Sequence, residues 1–176
     1  MPKLERAAYV LFILVCVAGL AALARQELFP RVPAPSTPNL VGRHLSIPGL
    51  QPQPKQSELS LVVVVRSDCH FCVESLPFYR ELDRRHKIHP GQFSLYVVSN
   101  EPVEKLRAFV DNASMSPDGI ATVDFSNIGI PGTPTVAVID KTGMVKRIFF
   151  GKLGDSASRE LLALIDDLRE PRAPGV

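Results

Sequence analysis

The sequence predicts an α/β domain with a mixed β-sheet and helices on both faces, preceded by one N-terminal transmembrane helix. Segments typical of strands and helices alternate through residues 39–170, which is the pattern of a sheet covered on both sides. The valine-rich run at residues 59–65 predicts a central strand, because its apolar residues occupy both faces. Residues 7–24 carry no charged side chain, close to the roughly 20 apolar residues that span a bilayer.

Composition narrows the function before any motif is considered. The 176 residues suffice for one domain with a hydrophobic core. A net charge of +2, with basic and acidic residues interleaved, offers no electrostatic footprint for nucleic acid. Three cysteines are too few for a disulfide scaffold. We expect no cofactor and no bound metal.

The N-terminal segment, residues 1–24, is predicted to be a membrane anchor. Lys3 and Arg6 precede the apolar run, which favours a cytoplasmic N-terminus. We therefore expect a single-pass protein of the inner (cytoplasmic) membrane, with the C-terminal domain on the periplasmic side. A cleaved signal peptide is the alternative, because Ala22-Leu23-Ala24 fits a small-x-small cleavage site. The run is longer than a typical apolar signal region of about 7–15 residues, which favours the anchor.

Three further parts follow the anchor. Residues 25–38 contain four prolines and predict an extended spacer. Residues 39–170 form the globular domain, in which residues 39–54 are expected to add a short edge strand or hairpin. Residues 171–176 are expected to be a disordered tail. The expected strands are residues 59–65, 93–99, 120–125, 135–139 and 144–150, and the expected helices are residues 73–86, 101–112 and 155–169.

The turns of the domain have sequence signals of their own. Pro77 lies inside the first expected helix and should kink it. Pro102 suits the first position of the second helix. Asp140-Lys141-Thr142-Gly143 predicts a hairpin turn, which makes the last two strands antiparallel.

The chemistry is carried by Cys69 and Cys72, which lie where the central strand ends and a helix begins. A helix N-terminus presents unpaired N–H groups and a partial positive charge, which lower the pKa of a thiol placed there. Cys69 is therefore the expected nucleophile, and Cys72, one turn later, can close a small disulfide with it. His70 between them would stabilise the thiolate further when protonated. The pair predicts a redox-active dithiol.

Several motifs together resemble the thioredoxin superfamily, and within it the membrane-anchored TlpA-type thiol-disulfide oxidoreductases. Cys69-His70-Phe71-Cys72 follows the first central strand, and Pro77 matches the kinking proline of the active-site helix. Gly132-Thr133-Pro134-Thr135 precedes the hairpin, where the family carries a cis-proline. The sequence departs from the family at two positions. Asp68 replaces the tryptophan before the first cysteine, and Val63 replaces thioredoxin's buried acidic residue, so proton transfer at Cys72 needs water or another group.

The resemblance implies roles and partners. Cys69 and Cys72 are catalytic and form the redox-active disulfide, while Thr133, Pro134, His70 and Phe71 contact the substrate. The implied activity is exchange with disulfides of exported proteins, such as apoproteins of cytochrome c maturation or copper-site subunits, in the reducing direction. A membrane thiol protein would supply or accept the electrons.

Other functions for the two cysteines remain open at this stage. A structural zinc site needs a second pair of ligands, which the sequence does not offer. A copper-binding chaperone of the same fold is the alternative, because paired thiolates suit Cu(I). A non-catalytic accessory subunit of a membrane complex is a variant of it.

Overall fold

The computed structural model describes Ile13, residues 40–50 and residues 59–167, and its elements follow the expected alternation. The strands are β1 (Leu59–Val64), β2 (Phe93–Ser99), β3 (Gly119–Thr122), β4 (Thr135–Asp140) and β5 (Val145–Phe150). The helices are α1 (His70–Glu74), α2 (Leu76–Ile88), α3 (Val103–Asn112), α4 (Phe125–Ile128) and α5 (Asp155–Asp167).

The five strands form one mixed sheet in the order β3-β2-β1-β4-β5. β1, β2 and β3 are parallel, whereas β4 is antiparallel to both β1 and β5. The register pairs Val64 with Val98 on one side of β1 and with Thr135 on the other. The chain that follows β1 therefore leaves the sheet at the same edge as the chain that precedes β4.

The two faces of the sheet bury separate apolar clusters. On one face, alternate residues of β1 (Leu61, Val63) pack with apolar side chains of α2, α3 and α5, among them Leu82, Leu106 and Leu161. Val62 and Val64 point to the opposite face. Within the described residues that face is covered by residues 40–50 and by the single turn of α4. The sheet is thus covered on both faces. The three longer helices, α2, α3 and α5, all pack on the same face.

The helix after the cysteines is divided into two. Ser75 ends α1 and also precedes α2. Pro77 lies in the first turn of α2, where its missing N–H costs no helical hydrogen bond. The kink expected at Pro77 is therefore present as a break between α1 and α2.

Some element boundaries differ from those expected. Pro102 is the residue before α3 rather than its first helical residue. An unexpected short helix, α4, precedes Gly132-Thr133-Pro134-Thr135. Asp124 caps this helix by accepting a 2.9 Å bond from the Ser126 N–H. Residues 40–50 contribute isolated bridges, such as His44 with Met144, instead of a regular strand.

Most of the expected N-terminal segments lie outside the described residues. This applies to the anchor at 1–24, apart from Ile13, to the spacer at 25–38, and to the tail at 171–176. Among the described residues, no helix combines the length and apolar character needed to cross a membrane.

Candidate active site

A short turn carries the chain from β1 to the cysteine pair. Val65 extends the parallel pairing, since its N–H donates to the carbonyl of Val98 at 2.9 Å. The next four residues form a turn closed by a 3.3 Å bond from the Cys69 N–H to the Arg66 carbonyl. Helix α1 begins directly after Cys69. The buried strand thus places the first cysteine at the start of a helix.

The two cysteines are joined by a disulfide, with 5.2 Å between their Cα atoms. They differ in exposure, because Cys69 is half-buried while Cys72 is 0% exposed. Sγ of Cys69 accepts a 3.2 Å hydrogen bond from the backbone N–H of Cys72. A backbone donor aimed at sulfur favours the thiolate once the disulfide is reduced. Cys69 therefore has the accessible, stabilised sulfur and Cys72 the protected one.

The residues between the cysteines point outward. Nε2 of His70 lies 2.8 Å from the Glu74 carboxylate, and the other oxygen of that carboxylate lies 2.8 Å from Nζ of Lys152. The hydrogen bond from Lys152 is the main cause of a lowered pKa at Glu74. Phe71 is 55% exposed. An exposed aromatic ring beside the disulfide offers an apolar contact to an incoming chain.

The acidic residue before Cys69 is paired. Asp68 accepts two hydrogen bonds from the Arg66 guanidinium, at 2.8 and 2.7 Å. These bonds are the main cause of a lowered pKa at Asp68. The sequence alone places a negative charge against the Cys69 thiolate, but the nearby Arg66 offsets that charge.

The Thr133–Pro134 loop lies at the same sheet edge as the disulfide. Pro134 is buried, Thr133 is half-buried, and the peptide bond between them is cis. The Pro134 carbonyl accepts a 2.8 Å bond from the Gly151 N–H, which ties the loop to the end of β5. Because Thr135 pairs with Val64, this loop and the turn that carries Cys69 emerge from neighbouring strands.

Glu101 is a buried acidic residue that the sequence did not single out. It is 7% exposed and lies two residues after β2. Its two carboxylate oxygens accept bonds from the N–H and the hydroxyl of Ser67. Burial alone would raise the pKa of Glu101. The hydrogen bonds from Ser67 have the opposite effect and are stronger together, so the pKa lies below its usual value. The sequence could have indicated Glu101 by its position just after a parallel strand, since functional side chains gather at the carboxyl ends of such strands.

The described residues contain no cluster of three or more histidine, cysteine or acidic side chains arranged to hold a metal ion.

The protein is similar to known proteins in its structure, although its sequence matches none of the known families. Neither a protein-family model nor a curated protein matches the sequence. A thiol-disulfide isomerase from Corynebacterium glutamicum superimposes with a TM-score of 0.55 at 18% identity, covering 74% of this chain and 93% of its own. The protein has a thioredoxin fold. The fold implied by the cysteine and proline motifs is therefore confirmed.

Other thioredoxin-fold structures agree. A protein from Neisseria meningitidis assigned as a thioredoxin gives a TM-score of 0.54 at 20% identity, covering 72% of this chain and 85% of its own. A thiol:disulfide interchange protein from Bacteroides sp. gives 0.50 at 16% identity, covering 62% and 74%. At such identities the thioredoxin fold is what the chains share.

Proposed function

We propose that the protein is a thiol-disulfide oxidoreductase that exchanges its Cys69–Cys72 pair with disulfides of other proteins. The observation that carries the proposal is the unequal setting of the two sulfurs. Cys69 is half-buried and receives a backbone N–H, whereas Cys72 is fully buried behind it. Exchange needs one sulfur that attacks an incoming disulfide and one that resolves the mixed disulfide.

The proposed reaction runs in two displacements. The Cys69 thiolate attacks one sulfur of the substrate disulfide, and the second substrate sulfur leaves with the electron pair and takes a proton. Cys72, after losing its proton, attacks Sγ of Cys69, which releases the first substrate sulfur as a thiol. The substrate gains two electrons and two protons, and the Cys69–Cys72 disulfide forms. The same steps reversed oxidise a dithiol substrate.

The loop at Thr133 and Pro134 offers a substrate chain a place to bind beside the disulfide. Thr133 is half-buried two residues before β4, on the sheet edge from which Cys69 emerges. We propose that an extended segment flanking the substrate cysteine lies along Thr133 and Pro134, in the manner of an added strand. His70 and Phe71, which are exposed next to Cys69, complete the contact.

We further propose that the domain works outside the cytoplasm in the reducing direction, tethered to the inner membrane by residues 1–24. The uncharged run at 7–24 and the preceding Lys3 and Arg6 support the tether. A membrane thiol protein would return the electrons that each reaction cycle consumes. This part of the proposal rests on the sequence.

Trapping tests the exchange reaction. In a full-length chain with Cys16→Ser, the variant Cys72→Ser should accumulate mixed disulfides with proteins through Cys69, because the resolving sulfur is missing. These adducts should disappear on treatment with dithiothreitol. The matched variant Cys69→Ser should accumulate few, because Cys72 is buried. Equal trapping by both variants, or none by either, would overturn the proposal.

Alkaline carbonate extraction tests the tether separately. The full-length chain should stay with the membrane pellet, and a chain lacking residues 1–24 should not. Release of the full-length chain into the supernatant would contradict the anchor and leave the redox proposal standing.

A further inference from the structure

Glu101 is a buried carboxylate at the edge of the sheet where the turn from Arg66 to Cys69 begins. β1 and β2 run parallel in register, so the chain segments that follow them leave the sheet side by side. Glu101 belongs to the segment after β2, and Ser67 to the segment after β1. Burying a carboxylate is costly unless hydrogen-bond donors satisfy it. The partners of Glu101 therefore decide what the residue contributes.

Both oxygens of Glu101 accept hydrogen bonds from Ser67, and Oε2 also accepts a longer one, at 3.5 Å, from the Ser99 hydroxyl. The Ser67 N–H donates to Oε2 at 2.5 Å and the Ser67 hydroxyl donates to Oε1 at 2.7 Å. The backbone of Glu101 is held in turn, since its N–H donates to Oγ of the fully buried Ser99 at 3.2 Å. Ser67 is thus fixed to the end of β2 through a charged acceptor, the stronger kind of hydrogen bond.

Ser67 is the second residue of the turn that delivers Cys69. The turn closes between the Arg66 carbonyl and the Cys69 N–H. The other side-chain pair on this turn, Arg66 with Asp68, is solvent-exposed, with Asp68 63% accessible, and exposed pairs contribute little. The contact with Glu101 is the partly buried one, and it is the main side-chain constraint on the turn.

We infer that Glu101 is a positioning residue for the redox centre, which fixes the turn at Ser67 so that Sγ of Cys69 meets the Cys72 N–H and the incoming disulfide in one geometry. The inference deepens the proposed oxidoreductase function and rests on it. Glu101 lies outside both Cys69-His70-Phe71-Cys72 and Gly132-Thr133-Pro134-Thr135.

Two substitutions separate the contact from the charge. In Glu101→Gln the amide oxygen still accepts the Ser67 N–H, and the amide NH₂ donates to the Ser67 hydroxyl, which can rotate to accept. Glu101→Ala removes both contacts. Both variants lose the same negative charge, so their difference reports the contact alone. Glu104→Gln, on the exposed face of α3, is a control for the charge change elsewhere.

The readout is the rate at which iodoacetamide alkylates Cys69 across pH, in reduced full-length protein carrying Cys16→Ser. Glu101→Gln should react at least as fast as the parent, because a lost negative charge favours the thiolate. Glu101→Ala should react about tenfold more slowly at neutral pH than Glu101→Gln, with a higher thiol pKa. Alanine and glutamine variants that react alike would overturn the inference, because the contact would then be purely structural.

A second pair covers the case in which Glu101→Ala fails to fold. Ser67→Ala removes one of the two bonds and keeps the charge, while Ser67→Thr keeps the hydroxyl. Ser67→Ala should be slowed about threefold and Ser67→Thr should recover the parent rate. Equal rates for all three chains would overturn the inference. Alkylation needs no protein disulfide, so the test stays valid even if the chain fails to trap partners, which would count only against the proposed function.

Discussion

The backbone N–H of Cys72 donates a hydrogen bond of 3.2 Å to Sγ of Cys69. This bond makes Cys69 the residue that caps α1. When the disulfide is reduced, the same donor faces a sulfur that can carry a negative charge, and a charged acceptor forms a stronger bond than a neutral one. The cysteine with the stabilised sulfur is also the accessible one.

Reduced protein should be alkylated at Cys69 before Cys72. With limiting iodoacetamide we expect at least about a tenfold preference for Cys69, because thiolate character and exposure both favour it. Peptide mass mapping of the Cys16→Ser chain measures the ratio. Comparable labelling of the two cysteines would contradict the assignment of attacking and resolving roles.

A long side chain at Thr133 should obstruct protein substrates selectively. Thr133→Lys is expected to slow reduction of a protein disulfide by about tenfold while changing the rate with oxidised glutathione by less than about twofold, since only the protein needs an extended binding segment. Thr122→Lys, at the exposed end of β3, is the matched control. Equal slowing with both oxidants would show damage to the dithiol instead of loss of substrate contact.

The buried carboxylate of Asp83 should stabilise the fold, because hydrogen-bond donors satisfy its charge. It is 3% exposed in α2 and accepts bonds from the Ser116 N–H at 2.5 Å and from Lys87 at 2.6 Å. Asp83→Ala is expected to lower the free energy of unfolding by about 2 kcal/mol, because both donors lose a charged acceptor. Urea denaturation measures it, with the exposed Asp111→Ala as control. Similar losses in both variants would disprove the role given to Asp83.

Glu81 should make stability pH-dependent in acid. Hydrogen bonds from Arg84, and then from Arg85, lower the pKa of Glu81 from 4.5 to about 2 against the opposing effect of burial. Because the folded-state pKa is depressed, the stabilisation is complete above the unfolded pKa of 4.5 and is lost as the pH falls toward 2.

The variant Glu81→Gln measures this contribution. It should be less stable than the parent by about 1 kcal/mol at neutral pH, and in urea denaturation the difference should shrink as the pH falls from 4.5 through about 2. Glu104→Gln, which removes an exposed carboxylate from α3, is the control. A difference that does not change with pH would rule out the ion-pair explanation.

Local patterns were enough to predict most of the fold. The valine run predicted the central strand, because a strand that is covered on both faces has apolar residues on both. Pro77 predicted a kink in the helix after the cysteines, and the structure shows it as the break between α1 and α2, since proline fits the first turn of a helix and not its interior. Asp140-Lys141-Thr142-Gly143 gave the hairpin, where the Asp140 carboxylate accepts the Thr142 N–H at 2.8 Å.

The remaining features depend on contacts between distant parts of the chain. Glu101 is separated from Ser67 by 34 positions, and only the parallel pairing of β1 with β2 brings them together. The uneven cover of the two sheet faces has the same origin, because the sequence shows which helices exist but not which face each one packs on. The contact of Asp83 with Ser116 also carried no local signal, since the two residues lie 33 positions apart.

The reduction potential of the Cys69–Cys72 pair tests the central claim most directly. The full-length Cys16→Ser chain would be equilibrated with glutathione buffers, and the disulfide fraction counted by alkylation and mass measurement. We predict a reversible two-electron midpoint between about −270 mV, the value of thioredoxin, and about −120 mV, the value of DsbA. A pair that stays oxidised at potentials below about −300 mV, as structural disulfides do, would contradict the account.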